Sequence, residues 1–302
     1  MPTAPDANSY PPKTHAYLSI HIAVLLFGGA GLFGKLIDLP AGSIVLGRAC
    51  LGALFVYFFS QLSNFYPSQS SVRVQQFRPQ STQDFIVFCL LGIILAFHWV
   101  AFFEAIQNSS VAIGVLTFST FPIFTTLLEP FLNHEPLKAT NLLLAFIVFI
   151  GVALVLPDFD YNNRYTQGAL WGIASGASFA VLTLLSKRML KGYTSHCVSF
   201  YQNGIAAIFL MPFFALDIFE GTTQDWLYLL LLGIIFTAIA HTLFIHSMQA
   251  LKARTASLIA SLEPLYAILL AWLFLGESPS LYVYLGGSII LAVTLYVMIK
   301  NQ

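Results

Sequence analysis

Apolar residues run along this chain in unbroken blocks, separated by short polar or proline-bearing breaks. Blocks at 17–37, 41–62, 85–105, 110–132, 140–156, 168–187, 195–215, 226–250, 255–275 and 281–299 predict ten helices. A helix needs about 20 apolar residues to cross a hydrocarbon core roughly 30 Å thick, and only the fifth block is clearly short of that. The apolar positions are continuous rather than alternating, which predicts helices and not the strands of a barrel. The longest polar interruption, "SNFYPSQSSVRVQQFRPQSTQD" over 63–84, reads as a loop, and no other break is long enough to fold in water. The leading "MPTAPDANSYPPKTHAY" is polar and proline-rich, so 1–15 is expected to be a disordered tail. The block behind it has no small-residue cleavage pattern and is read as a retained first helix.

Composition fixes the medium. Hydrophobic residues make up 58% of the chain and charged residues 9%, with a mean hydropathy of +0.80, against a charged share of about 25% in soluble domains. The expected partners are therefore the lipid bilayer and a small-molecule solute. Net charge is zero and the densest basic cluster is only Lys187, Arg188 and Lys191, so no nucleic acid is expected. Cys50, Cys89 and Cys197 fall in or beside apolar blocks and have no metal or redox spacing. Lys and Arg accumulate in cytoplasmic loops. With both termini cytoplasmic, the inner segments collect Lys13, Arg73, Arg78, Lys138, Lys187, Arg188, Lys191, Lys252, Arg254 and Lys300, and the outer ones only Lys35 and Arg164.

The chain also repeats itself. With an offset of 142, Phe102 meets Phe244, Gln107 meets Gln249, Leu116 meets Leu258, Ser119 meets Ser261 and Pro122 meets Pro264. In the same register Leu127 and Leu128 meet Leu269 and Leu270, and Glu135 meets Glu277. The coincidence of a mid-span proline with the Glu that closes the same span carries the match, since apolar segments share Leu and Phe by chance. Each half then holds five spans, and an odd number of crossings turns the second half upside down. The expected fold is an all-α integral membrane protein of ten transmembrane helices, built as two inverted five-helix repeats over 16–156 and 168–299. Inverted repeats are a transporter signature, because two exchangeable halves give one state open to each face.

On these residues the chain resembles the EamA family of the drug/metabolite transporter superfamily. The segments "FPIFTTLLEPFLNHEPL" and "LEPLYAILLAWLFLGESP" carry the likeness: a Pro midway along the fourth helix of each half, and a Glu closing it. The family commonly has Gly before that Glu; Gly276 conforms, whereas the first half has His134. The resemblance implies transport of amino acids, other metabolites or drugs, with export the expected direction and the bacterial inner (plasma) membrane the expected place. It also implies a central cavity lined mainly by spans 3, 4, 8 and 9. Those spans carry His98, Trp99, Phe103, Ser119, His241, Ser261, Glu263 and Tyr266 as candidate substrate-binding residues.

Four ionisable residues fall at mid-membrane depth when each residue is given about 1.5 Å of rise. They are Arg48, His98, His241 and Glu263. Burying a charge there costs about 2.5–3.5 kcal/mol on insertion scales, so such groups face a cavity or a partner. Glu263, with His98 and His241, is the candidate proton-coupling set, since imidazole titrates near neutral pH. Pro264 has no N–H and clashes with the carbonyl of Ala260, so span 9 is expected to bend or open there, and Pro122 to do the same in span 4. The structural alternatives are an Arg48–Glu263 ion pair, an Arg48 that snorkels outward, histidines bonded to backbone carbonyls, and aromatic residues that only pack. Glu135 and Glu277 are expected to cap or pair at helix ends, and Glu104 to lie at the rim. A metal held by the two histidines and Glu263 has no spacing to support it, and "HEPLK" lacks the second His of a zinc-protease helix. With no phosphate-binding glycine loop, no cofactor is expected and the energy must come from a gradient. Two other functions fit the same residues: an intramembrane enzyme using His98, His241 and Glu263 in acid–base chemistry, and a non-transporting sensor or scaffold.

Overall fold

A computed structural model describes residues 12–65, 77–133, 139–156 and 160–300, and among these there are helices and no strand. Helix α1 covers Lys13–Ala30, followed by a short α2 (Phe33–Leu36), α3 (Ala41–Phe65), α4 (Thr82–Asn108), α5 (Val111–Phe118), α6 (Phe121–Asn133) and α7 (Ala139–Val155). The second part of the chain gives α8 (Arg164–Met189), α9 (Ser195–Phe214), α10 (Thr223–Gly233) and α11 (Ala240–Ala250). It closes with α12 (Ala253–Ala260), α13 (Glu263–Leu275) and α14 (Leu281–Lys300). A π-helical stretch, Ile234–Ile239, joins α10 to α11 without a break.

Eight segments among the described residues are long and apolar enough to cross a membrane: Lys13–Leu36, Ala41–Gln61, Thr82–Asn108, Val111–Phe131, Arg164–Met189, Ser195–Phe214, Thr223–Ala250 and Thr255–Leu275. At the fifth and tenth predicted positions stand shorter apolar helices, Leu142–Val155 and Leu281–Val293. Large apolar side chains such as Phe58, Phe146 and Phe274 stand outward at 61%, 64% and 70% exposure, a surface suited to lipid and not to water. The chain is an all-helical integral membrane protein.

Helix starts follow the polar residues in the breaks. Ser81, Ser110 and Thr194 accept hydrogen bonds from the backbone N–H groups of Asp84, Ile113 and Cys197, and Thr222 forms a reciprocal capping box with Asp225. Asn163 accepts from the N–H of Tyr165, so α8 begins before the apolar block at 168. Helix α1 likewise begins at Lys13, inside the stretch expected to be tail; residues 1–11, His134 and Glu135 lie outside the described residues. Lipid supplies no partners for a bare backbone, so these caps are part of the cost of crossing.

Two of the crossing segments are broken at a proline. The rings of Pro122 and Pro264 clash with helical geometry four residues back, at Phe118 and Ala260, and there the helix gives way, whereas α6 and α9 carry Pro130 and Pro212 without a break. Those are the residues at which α5 and α12 end. Each proline then sits in the first turn of the following half-helix, where its missing N–H has no helical partner to lose. Ser119 and Ser261 end the preceding half-helices and turn their hydroxyls back to the carbonyls of Val115 (2.8 Å) and Leu258 (2.6 Å). A glycine backs onto each break. A Cβ on Gly176 of α8 would lie 2.6 Å from the Phe118 carbonyl oxygen, and one on Gly28 of α1 would lie 2.6 Å from the Cβ of Tyr266 and 3.3 Å from the Glu263 carbonyl.

Packing crosses between the two parts of the chain. Helix α4 lies on α8 and α1 on α11; α5 and α6 lie on α8, whereas α12 and α13 lie on α1; α3 pairs with α9 and α7 with α14. Helices α4 and α8 run antiparallel. Tyr193, just past α8, donates to Asp84 Oδ2 at the start of α4 (2.9 Å), and Gly168 near the start of α8 abuts Ser109 just past the end of α4. Burial, reinforced by the Asp84 carboxylate, pushes the Tyr193 phenol up to about 12, so it remains a donor at neutral pH. The main core runs around Phe88, Phe103, Phe121 and Phe244, and a smaller one joins α5, α7 and α14 around Leu116, Val148 and Ile290.

Candidate functional site

Four elements deliver one ionisable side chain each to a single buried cavity: Arg48 from α3, His98 from α4, His241 from α11 and Glu263 from the start of α13. Trp99, Phe27, Phe102, Phe118 and Phe179 complete most of its wall. Its volume is about 30 Å³, room for roughly two water molecules.

Arg48 is 2% exposed and held on three sides. Its guanidinium carbon stands 3.9 Å from the centroid of Trp99 and 5.4 Å from that of Phe103. Nε donates to Thr237 Oγ1 (2.8 Å) and Nη2 to the Phe236 carbonyl (3.5 Å). Both acceptors belong to the π-helical stretch. Thr237 spends its own proton on the carbonyl of Leu232 (2.7 Å), five residues back, and so has only lone pairs left for Arg48. The wide π turn is what lets a backbone carbonyl and a hydroxyl face the same guanidinium.

Hydrogen bonding fixes the neutral tautomer of each histidine. Nδ1 of His98 stands 3.1 Å from the Ser175 carbonyl and 2.9 Å from Ser175 Oγ, whose proton goes to the His98 carbonyl (3.0 Å). A carbonyl only accepts, so Nδ1 carries the hydrogen and Nε2 keeps a lone pair. For His241 the chain of inference starts farther out. Ser186 Oγ donates to the Leu182 carbonyl (2.6 Å) and therefore accepts from Gln202 Nε2 (2.7 Å). Gln202 Oε1 is left facing His241 Nε2 at 2.7 Å, so that nitrogen donates and Nδ1 keeps the lone pair. The His241 ring packs edge-on to Trp99 at 5.5 Å, and His98 lies between Phe118 (5.4 Å) and Phe179 (4.9 Å).

Glu263 is 4% exposed. It opens α13, where the free N–H groups and the helix dipole favour a negative charge. Arg48 acts on it electrostatically. The alternative of an Arg48–Glu263 ion pair has no N···O contact within 4.0 Å among the described residues.

The other predicted residues take different places. Phe103 is fully buried behind Arg48 rather than on the cavity wall. Ser119 and Ser261 are buried with their hydroxyls spent on their own helices, and Tyr266 is half-buried against Gly28. Glu277 accepts from the backbone N–H of Val111 (3.0 Å) and caps α5, and Glu104 bonds Asn108 (2.8 Å). Among the described residues no three His, Cys, Asp or Glu side chains are grouped to share a metal ion. Sequence reading passed over Thr237, Gln202 and Ser175, although each is a polar residue inside an apolar block. It also passed over Phe27, Phe118 and Phe179, which nothing distinguishes among 28 phenylalanines, and it marked Phe102 only through the repeat register.

Comparisons with known proteins agree with this architecture. A family model described as the EamA-like transporter family matches residues 14–156 and again 166–299. An uncharacterized transporter, YxxF, of Bacillus subtilis is 29% identical over 96% of this chain and 91% of its own length. An uncharacterized transporter of Archaeoglobus fulgidus is 32% identical over 67% of this chain and 73% of its own length. A crystal structure of another protein superposes with a TM-score of 0.66 over 95% of this chain and 97% of that one, at 17% identity, a likeness of fold. With both parts of the chain matched by the same model, the protein belongs to the EamA-like transporter family.

Proposed function

We propose that the protein is a secondary active transporter of small organic metabolites, such as amino acids or related compounds, that works by alternating access with proton coupling. The observation that carries the reading is the buried cavity in which Arg48, His98, His241 and Glu263 meet. Groups that expensive to bury are retained in membranes where they contact a solute or an ion. Each histidine keeps one ring nitrogen with a lone pair, and the Glu263 carboxylate shares their cavity, which brings three proton acceptors together. Arg48 supplies a fixed positive charge beside them.

In this reading the ten helical segments form two inverted five-helix units, 16–156 and 168–299. The exchanged packing supports it: α4 on α8 mirrors α11 on α1, and the breaks at Ser119 and Ser261 are each backed by a glycine of the opposite unit. Both termini face the cytoplasm of a bacterial plasma membrane, following the distribution of Lys and Arg, and solute leaves the cell. Ligand pockets run to about 300–1,000 Å³, so a cavity of about 30 Å³ is a closed stage of the cycle that must widen to admit cargo.

The test is flux in liposomes holding the purified protein, across a broad metabolite panel, with and without a pH gradient. Saturable movement of an unaltered solute, stimulated by the gradient, is the expected result. Absence of saturable flux for every compound in both conditions refutes the proposal, and a chemically changed product points to an enzyme.

A further inference from the structure

We propose that Lys35 and Lys187 are a matched pair of latches, each holding one end of the pathway shut. The inference rests on the alternating-access reading and assigns its two gates to named side chains. Lys35 lies in α2, and its Nζ donates to the carbonyls of Ser109 (3.0 Å) and Gln107 (3.4 Å) at the end of α4. Lys187 lies in the last turn of α8, and its Nζ donates to the carbonyl of Met248 in the last turn of α11. The donor and acceptor are the same in both places, although Glu277 attracts Lys35 and Lys191 repels Lys187. An ammonium group sits on the orphan carbonyls of a helix C-terminus, where the helix dipole favours a cation.

The acceptor positions correspond as well, although the ungapped offset of 142 sets Lys35 against Ala177 and not Lys187. The register that pairs Phe102 with Phe244 puts Gln249 opposite Gln107, one residue from Met248. Each lysine thus closes the first crossing segment of its unit and ties it to the third. The antiparallel run of α4 against α8 puts the two ties at opposite ends: Lys35 is bonded beside Ser109, while Lys187 lies on the end of α8 that Tyr193 joins to Asp84. Between them is the cavity, whose wall takes Phe27 from α1 and His98 from α4, and Phe179 from α8 and His241 from α11. Releasing one lysine frees the two helices of one unit at one face only.

The two latches differ in strength. Lys35 is exposed, and Arg164 also donates to the Gln107 carbonyl (3.5 Å), so its loss is partly covered. Lys187 is half-buried and has no such reserve among the described residues. An exposed charge at a helix end shifts an equilibrium by up to about fivefold, and a partly buried one by tenfold or somewhat more.

The experiment uses the full chain in oriented vesicles, with Cys50, Cys89 and Cys197 replaced by Ser and a reporter cysteine at Ala30 on the cavity wall. A membrane-impermeant maleimide is applied from either face. Lys35→Met is expected to speed labelling from the Lys35 face by up to about fivefold and slow it from the other, and Lys187→Met to do the reverse by about tenfold. Lys35→Arg and Lys187→Arg should stay near the parent, and the Gln variants serve where a Met variant is not recovered. A parent that labels from both faces, with lysine variants unchanged or shifted in the same direction, overturns the latches alone. A parent that labels from one face only, with or without solute, overturns alternating access and the latches with it.

Discussion

Arg48 shows how a full charge is kept in an apolar setting. Insertion at mid-membrane costs about 2.5–3.5 kcal/mol. A desolvated cation–π contact with Trp99 returns about 2 kcal/mol, and a charged hydrogen bond such as that to Thr237 about 1.5–3 kcal/mol, so the two together are of the right size. Both depend on a flat, forked head group, which lysine lacks. Arg48→Lys is therefore expected to weaken solute binding at least about tenfold, the equivalent of about 1.4 kcal/mol, read as a rise in the half-saturating concentration for flux. Glu263→Gln removes the exchangeable charge but keeps the shape. It should leave solute binding measurable while flattening the dependence of flux on pH, and an unaltered pH profile takes Glu263 out of the coupling mechanism. All four ionisable wall residues were legible in the sequence because each interrupts an apolar block. The serines misled for a related reason: a hydroxyl in an apolar helix usually bonds its own backbone, and a sequence does not say whether a cavity competes for it.

Helix boundaries were legible where polar caps and prolines mark them, and α5/α6 and α12/α13 divide where the ring of a downstream proline opposes continuation, though Pro130 and Pro212 lie inside unbroken helices. The π-helical stretch was not legible. One extra residue per turn within "LLLLGIIFTAIAH" changes neither composition nor apolarity, yet it brings the Phe236 carbonyl and Thr237 to Arg48. The close approaches at the breaks were equally hidden, since a glycine in an apolar helix looks the same whether it faces lipid or a neighbouring backbone. Gly176→Ala tests their importance. Its methyl would come within 2.6 Å of the Phe118 carbonyl oxygen, a main-chain atom with little room to retreat. Overpacking of this kind costs about 1–3 kcal/mol, so the detergent-solubilised variant should unfold at a lower temperature than the parent.

At the scale of the molecule, the two parts of the chain exchange their packing, and the inverted units proposed from it make topology testable. Gly192, between α8 and α9, and Ser278, between α13 and α14, are both exposed and should lie on opposite sides of the bilayer. Cysteines placed there should react with an impermeant reagent from the cytoplasmic and the outer face respectively; reaction from a common face is incompatible with two inverted units. The alternation of spans and the bias of Lys and Arg raise this expectation from the chain alone, whereas the size of the central cavity leaves no such signal, because volume is set by how the helices lean together. That size has an electrical corollary. A single file of water across a core roughly 30 Å thick takes about ten molecules at ordinary hydrogen-bond spacing, and a void of about 30 Å³ holds roughly two. The cavity alone therefore bridges only a fraction of that path, and a planar bilayer crowded with the protein is expected to keep its resistance until cargo is added.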